Sequence, residues 1–101
     1  MSKIHTLIEN KLSLIIDELV AQREVGSTYE SSELPYDDEM EQLREYVGIA
    51  NEYGIAYEGI VATLEKHNFV LSGHSAVRLL EVGLLMRYKT ERTEDSQFDL
   101  R

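Results

Sequence analysis

Residues 3–24, KIHTLIENKLSLIIDELVAQRE, carry the clearest structural signal in the chain. Apolar side chains recur there every three or four residues, which places them along one face of a helix. The repeating positions are Ile4, Ile8, Leu12, Ile15, Ile16 and Leu19, with Leu7 and Val20 beside them. Such a stripe is stable only when other elements cover it. The segment therefore predicts an amphipathic helix over 3–24 that forms one side of a helical core.

Three further helices are predicted over 37–53, 55–67 and 73–88, and no segment favours a strand. Their predicted core positions are Met40, Leu43, Val47 and Ala50, then Ala56, Ile60, Val61 and Leu64, then Ala76, Val77, Leu80, Leu84 and Met86. The last helix is apolar over more than half of its circumference, so we expect it to lie at the centre of the bundle. The predicted fold is all-α, a compact four-helix bundle within a single domain over 1–88.

Small and polar residues mark the predicted connections. Residues 25–36 predict a loop, because serine, threonine and Pro35 interrupt the apolar periodicity and Gly26 can end a helix. Gly54 predicts a tight turn, and Gly59 a close crossing of two helices. Ser72 is a suitable N-cap. Residues 89–101 predict a polar C-terminal tail, with Phe98 and Leu100 as candidate anchors.

Length and composition indicate the class of protein. A chain of 101 residues corresponds to one domain. The absence of cysteine excludes disulfides and thiolate metal sites and fits a reducing compartment. The first thirty residues lack the pattern of a signal peptide, and no apolar run reaches the roughly 20 residues that cross a bilayer. We therefore expect a cytoplasmic protein.

The formal net charge of −9 is concentrated in one segment. Between Glu24 and Glu58 there are ten acidic residues and one basic residue, Arg44, which accounts for the whole net charge. The other nine acids and nine bases cancel. A segment of one sign repels phosphate, so nucleic acid and anionic lipid are not expected partners. The charge favours a cationic partner.

No group of residues predicts a catalytic, cofactor or metal site. His5, His67 and His74 lack the spacing of zinc ligands, and the acids over 37–41 do not match a calcium-binding loop. Ser72 beside His74 lacks the strand-turn-helix setting of a nucleophile. The sequence therefore predicts a binding module rather than an enzyme.

The candidate partner-binding residues lie in and after the predicted loop. Tyrosine is enriched at interface hot spots, and two tyrosines are expected in this loop with little core to join. Clustered carboxylates follow at the start of the second predicted helix. The candidates are Tyr29, Tyr36, Asp37, Asp38, Glu39, Glu41 and Glu45, with Glu30 and Glu33 as second choices. The alternative interpretation of these acids is an ordinary solvated helix face.

Residues 52–58, Glu-Tyr-Gly-Ile-Ala-Tyr-Glu, resemble a known pattern. They are similar to the Glu-Tyr-x-apolar-Ala-x-Glu segment of small helical immunity proteins from bacterial toxin systems, particularly the MafI-like group. The resemblance continues through Leu64, the connector over 69–72 and the apolar helix that ends near Met86. It covers about a third to a half of the chain.

This resemblance implies a cytoplasmic antidote of the kind found in contact-dependent growth inhibition. Such a protein binds a cognate toxin domain, often an RNA-cleaving nuclease and in some cases an EndoU-like one. We expect a monomer in a 1:1 complex, with the acidic surface occluding the basic substrate cleft of the toxin. Binding outside the toxin's active site is an open variant. The alternative function is a helical adaptor or regulatory domain that self-associates through its apolar last helix.

Overall fold

The computed structural model describes residues 3–49 and 51–86, and these residues form five helices without a strand. The helices are α1 (Lys3–Val20), α2 (Arg23–Gly26), α3 (Tyr36–Gly48), α4 (Tyr53–Lys66) and α5 (Gly73–Met86). The all-α class is confirmed. No helix within these ranges has the length and hydropathy that crossing a bilayer requires. The predicted tail over 89–101 and the predicted helix end at 87–88 lie outside the described residues.

The predicted count of four helices is not confirmed, because the first segment divides. α1 ends at Val20, and the single turn α2 follows it. Between them Gln22 leaves the helical conformation, with φ −103° and ψ 63°. Its side-chain amide accepts a hydrogen bond from the Val70 backbone N–H (2.9 Å) and donates one to the Val70 carbonyl (2.7 Å). Gln22 therefore joins the end of α1 to the connector between α4 and α5.

The break between α3 and α4 lies earlier than predicted. α3 ends at Gly48, and before α4 begins Asn51 has φ 55° and the Glu52 N–H donates to the Tyr46 carbonyl at 2.7 Å. Ala50, a predicted core position, lies outside the described residues. Asparagine tolerates this left-handed conformation better than most residues. Gly54, the predicted turn, instead lies in the first helical turn of α4.

α1 is the central helix of the molecule. Its predicted stripe is confirmed at five positions that have no exposed surface: Ile8, Leu12, Ile15, Ile16 and Leu19. α1 packs against α3, α4 and α5. α3 and α5 each contact both α1 and α4. α3 and α5 therefore occupy opposite sides of the α1–α4 pair. The outer ends of the stripe are more open, since Ile4 is 38% and Leu7 46% exposed.

The predicted inward face of α5 was largely wrong. Its buried residues are Ser75 and Val82, whereas Ala76, Val77, Leu80 and Leu84 are exposed. A helix that is apolar on several sides can be buried on any of them, so its periodicity does not select a face. Glycines show where the close approaches occur. A Cβ at Gly83 would lie 2.8 Å from the Tyr57 hydroxyl oxygen, and one at Gly59 2.8 Å from Leu43 Cδ2, which confirms a close crossing at Gly59.

Gly26 and Gly48 give a matched test of packing at helix ends. A Cβ at Gly26 would lie 2.5–2.8 Å from three ring atoms of Tyr36, whereas one at Gly48 would meet no atom within 4 Å. We expect Gly26→Ala to lower the free energy of unfolding by about 1–3 kcal/mol, because a buried ring must shift. Gly48→Ala should leave it unchanged or raise it by up to about 1 kcal/mol. Urea denaturation followed by circular dichroism measures both, and equal effects would contradict this packing.

Candidate functional site

Three of the predicted carboxylates form a row along the outer face of α3. Asp38, Glu41 and Glu45 are separated by three and four residues, so they project from the same side of the helix, and all three are exposed. None of the three carboxylate groups forms a hydrogen bond or an ion pair with another described residue. The nearby base Arg44 is engaged elsewhere, donating to Asp17 Oδ1 at 2.7 Å. We call these three residues the acidic row.

Asp37 lies at the edge of this surface and is weakly paired. Its carboxylate is 3.5 Å from the guanidinium of Arg23, and both side chains are more than 70% exposed. Ion pairs of this kind contribute little to stability in water. Asp37 therefore remains available to a partner, although Arg23 partly neutralises its charge.

Tyr36 is a core residue, which corrects its placement in an accessible loop. It is the first residue of α3 and only 8% exposed. Its hydroxyl donates to the backbone carbonyls of Leu19 (2.8 Å) and Val20 (2.7 Å), which lie in the last turn of α1. Burial raises the pKa of this hydroxyl. Tyr36 thus satisfies helix-end carbonyls of α1 and offers almost no surface to a partner.

Glu39 also points inward rather than joining the acidic row. One carboxylate oxygen accepts a short hydrogen bond from the Tyr29 hydroxyl, and the other accepts one from Thr63 Oγ1 at 3.1 Å. Burial, followed by the hydrogen bond to Glu39, raises the pKa of Tyr29 well above its ordinary value. Glu39 therefore joins the loop, α3 and α4, and its carboxylate is already occupied.

His67 completes the group around Tyr29. The two rings stack with centroids 3.8 Å apart and planes inclined by 5°, and His67 Nε2 lies 2.9 Å from Glu33 Oε1. The His67 and Glu33 side chains are only 8% and 17% exposed. Tyr29, Glu33, Glu39, Thr63 and His67 are called the Tyr29 cluster below. The cluster fixes the loop before α3 against both α3 and α4.

Sequence reasoning missed the Tyr29 cluster almost entirely. From the sequence, His67 is only the last residue of the predicted helix 55–67, and Glu33 is a second-choice contact. Their pairing spans 34 residues, so no local spacing could reveal it. Only the position of Glu39 in its helix indicated that its side chain could turn inward. It lies one residue before the buried Met40 and one after Asp38, which is a boundary position on the helical wheel.

A second polar group joins the end of α1 to the start of α5. The Glu18 carboxylate accepts hydrogen bonds from the Ser72 N–H (2.9 Å), the Ser72 hydroxyl (2.7 Å) and the Ser75 hydroxyl (2.7 Å). Ser72 Oγ also accepts from the Ser75 N–H at 3.1 Å, which confirms its N-cap role. The serine hydroxyls beside His74 are therefore bonded to Glu18. The bond from the Ser72 N–H, followed by those from the hydroxyls, lowers the pKa of Glu18.

An open cleft of about 630 Å³ lies next to this group, between α1 and α5. Its lining is Lys11, Gly73, His74, Val77, Arg78 and Glu81. Lys11 Nζ and Glu81 Oε1 are 2.7 Å apart across it, and Arg78 donates to Ser75 Oγ at 2.9 Å. In the part of the chain that the structure describes, no three His, Cys, Asp or Glu side chains are grouped to hold a metal ion.

The Tyr29 cluster should stabilise the loop through its hydroxyl. We expect Tyr29→Phe to lower the free energy of unfolding by about 1 kcal/mol, because Glu39 loses a donor in a partly buried site. Amides over 28–33 should also exchange faster with deuterium. Tyr53→Phe is the control, since the Tyr53 hydroxyl bonds to Asn51 at an exposed site, and it should cost less. Equal losses in the two variants would contradict a special role for Tyr29.

Glu18 should make stability depend on pH in one direction. Because folding lowers its pKa from the ordinary 4.5, the ionised group stabilises the fold above that pH. This contribution disappears as the pH falls through the lower pKa of the folded state. The loss of stability caused by Glu18→Gln should therefore be largest near neutral pH and shrink below about pH 4.5. Urea titrations from pH 7 to 3 measure this loss in the free energy of unfolding, with Glu65→Gln at an exposed site as the control. If the free energies of the wild type and Glu18→Gln change in parallel with pH, the assignment is refuted.

Comparisons with known proteins give no relative from which a role could be transferred. No family model matches the chain, and no curated protein or solved structure matches it. The resemblance of residues 52–58 to immunity proteins therefore stays a prediction.

Proposed function

We propose that this chain is a non-enzymatic binding module that docks a cationic protein surface through the acidic row. The observation that carries the proposal is that Asp38, Glu41 and Glu45 are exposed on one helix face without an ion pair to any other described residue. Carboxylates whose field is not cancelled within the molecule are free to attract an opposite charge.

The helix beneath the acidic row makes it a rigid platform. Met40, Leu43 and Val47 on the opposite side of α3 are at most 4% exposed, so the position of the helix is fixed by the core. The Tyr29 cluster adds a second attachment near the helix start. A pre-formed row binds at a lower entropic cost than a mobile acidic loop would.

The contact surface that we propose is smaller than the sequence predicted. Asp37 and the acidic row remain candidates, because they are exposed. Tyr36 and Glu39 are assigned to the fold, since their polar atoms already bond to other parts of the chain. Tyr29 is only partly exposed, and its hydroxyl is already bonded to Glu39.

Toxin neutralisation is the specific form of this function that we propose. A nuclease that cleaves RNA needs a basic cleft to hold phosphates. An acidic helix lying across that cleft would exclude the substrate by charge and by volume, and the opposite fields would accelerate capture toward 10⁸ M⁻¹s⁻¹ at low salt. The resemblance over residues 52–58 supports this role and a cytoplasmic site of action.

The partner can be identified by co-expression. The product of the reading frame immediately upstream, carrying an affinity tag, is produced together with this chain. Stable co-purification, and growth that depends on the presence of this chain, are the expected results. A neighbour that is harmless alone and does not co-purify would contradict toxin neutralisation.

Charge reversal tests whether the acidic row makes the contact. For Asp38→Lys/Glu41→Lys/Glu45→Lys we expect the association rate with the captured partner to fall at least about tenfold at low salt, and its salt dependence to flatten. The control Glu24→Lys/Glu58→Lys/Glu65→Lys changes the net charge equally at exposed sites on α2 and α4. Circular dichroism confirms folding of both. Equal losses would indicate only a net-charge effect, and no loss in the first variant would refute the contact.

A further inference from the structure

The outer face of α5 is apolar and uncovered by any described residue. Val77, Leu80 and Leu84 are 52%, 68% and 51% exposed. They are separated by three and four residues, so they share one side of the helix, facing away from Val82 in the core. Isolated exposed leucines are ordinary, but a continuous row of them marks a surface that another body can cover.

The neighbouring side of α1 extends this surface. Leu7 and Leu14 are 46% and 44% exposed and flank Lys11, four residues before it and three after it. The bond from Lys11 to Glu81 places this side of α1 beside α5. The bonds of Glu18 to Ser72 show that the two helices run antiparallel. We call these exposed apolar residues of both helices, with the Lys11–Glu81 pair at their centre, the α1–α5 face.

The α1–α5 face lacks the acidity of the rest of the molecule. α1 and α5 together carry three Lys or Arg side chains and four Asp or Glu side chains, against a net charge of −9 for the chain. The acidic row lies on α3, on the other side of the α1–α4 pair. Two copies that meet through α1 and α5 therefore keep their acidic rows apart.

We propose that the α1–α5 face binds a second copy of this chain. A two-fold axis parallel to the helices places α1 of each copy against α5 of the other. In that arrangement Lys11 faces the second copy's Glu81, so the charges at the centre of the face are complementary. Leu14 then lies opposite Val77, and Leu7 opposite Leu84. A two-fold axis in the plane of the interface but perpendicular to the helices would instead place Lys11 of one copy against Lys11 of the other, which is repulsive.

The size of the face fits a moderately stable dimer. Five side chains that are about half exposed form an apolar surface of roughly 400 Å², which lies in the range of patches that are often functional. A standard interface buries roughly 800 Å² per partner, so this patch would form about half of one and the polar residues around it the rest. We therefore expect a dissociation constant in the micromolar range, which is the weak end of the range for interfaces of standard size.

This dimer is independent of the proposed function and compatible with it. The expectation of a 1:1 complex changes to two chains and two partners, because each acidic row points outward on the far side of its own core. Charge reversal on α3 and substitution on α5 act on opposite sides of the molecule, so each proposal can fail while the other stands.

Sedimentation of the full chain over about 1–500 μM tests the proposal. The wild type should pass from monomer to dimer, and Leu80→Ser/Leu84→Ser should raise the dissociation constant at least about tenfold while circular dichroism stays unchanged. The control is Ile49→Ser, at an apolar residue directly after α3 that is 79% exposed, and this variant should dimerise normally. A wild type that stays monomeric throughout, or a dimer that survives the α5 substitutions, overturns the proposal.

A charge exchange tests the arrangement of the two copies. Lys11→Glu chains present two carboxylates at the centre of the face, and Glu81→Lys chains present two ammonium groups. Each should dimerise poorly alone, and an equimolar mixture should recover the wild-type dissociation constant. A mixture no stronger than its components overturns the arrangement. A monomer that floats with phosphatidylcholine vesicles and loses this binding in Leu80→Ser/Leu84→Ser would assign the face to lipid instead.

Discussion

Burial of the α1 stripe is the interaction on which the other helices depend. Five of its side chains are completely removed from water, and every longer helix packs against it. Each such burial contributes roughly 2 kcal/mol, which is a large share of the small net stability of a typical domain. α3, with the acidic row, and α5, with its exposed apolar residues, occupy opposite sides of this core.

The C-terminal end of α1 organises both of those sides. Its last carbonyls accept the Tyr36 hydroxyl, which sets the start of α3 and hence the direction of the acidic row. Glu18, which directly precedes these residues, accepts hydrogen bonds from the N-terminus of α5, where a carboxylate also complements the helix dipole. Gln22, just after α1, holds the connector between α4 and α5. One helix end thus positions two elements that are distant in sequence.

The sequence allowed prediction of what depends on local spacing and composition. The periodicities of α1 and α3 identified the core positions of both helices, and the structure confirms them: Ile8, Leu12, Ile15, Ile16, Leu19, Met40, Leu43 and Val47. The side of α5 that is buried could not be predicted, since apolar residues lie on several of its sides and the choice depends on Tyr57 meeting Gly83. Composition located the acidic segment, but only the helix orientation separated the outward Asp38 from the inward Glu39.

The acidic row makes α3 a less stable helix, and this cost is the strongest argument that it serves binding. Like charges three or four residues apart destabilise a helix by about 0.2–0.5 kcal/mol per pair, and both spacings occur here. Glu45 also lies in the last turn, where the helix dipole disfavours a negative charge and no basic residue is present. Asp37 and Asp38 gain from the dipole at the other end, but Glu41 and Glu45 do not. Since neither carboxylate bonds to another described residue, the fold gains nothing from them that would offset this cost, whereas a cationic partner would remove the repulsion on binding.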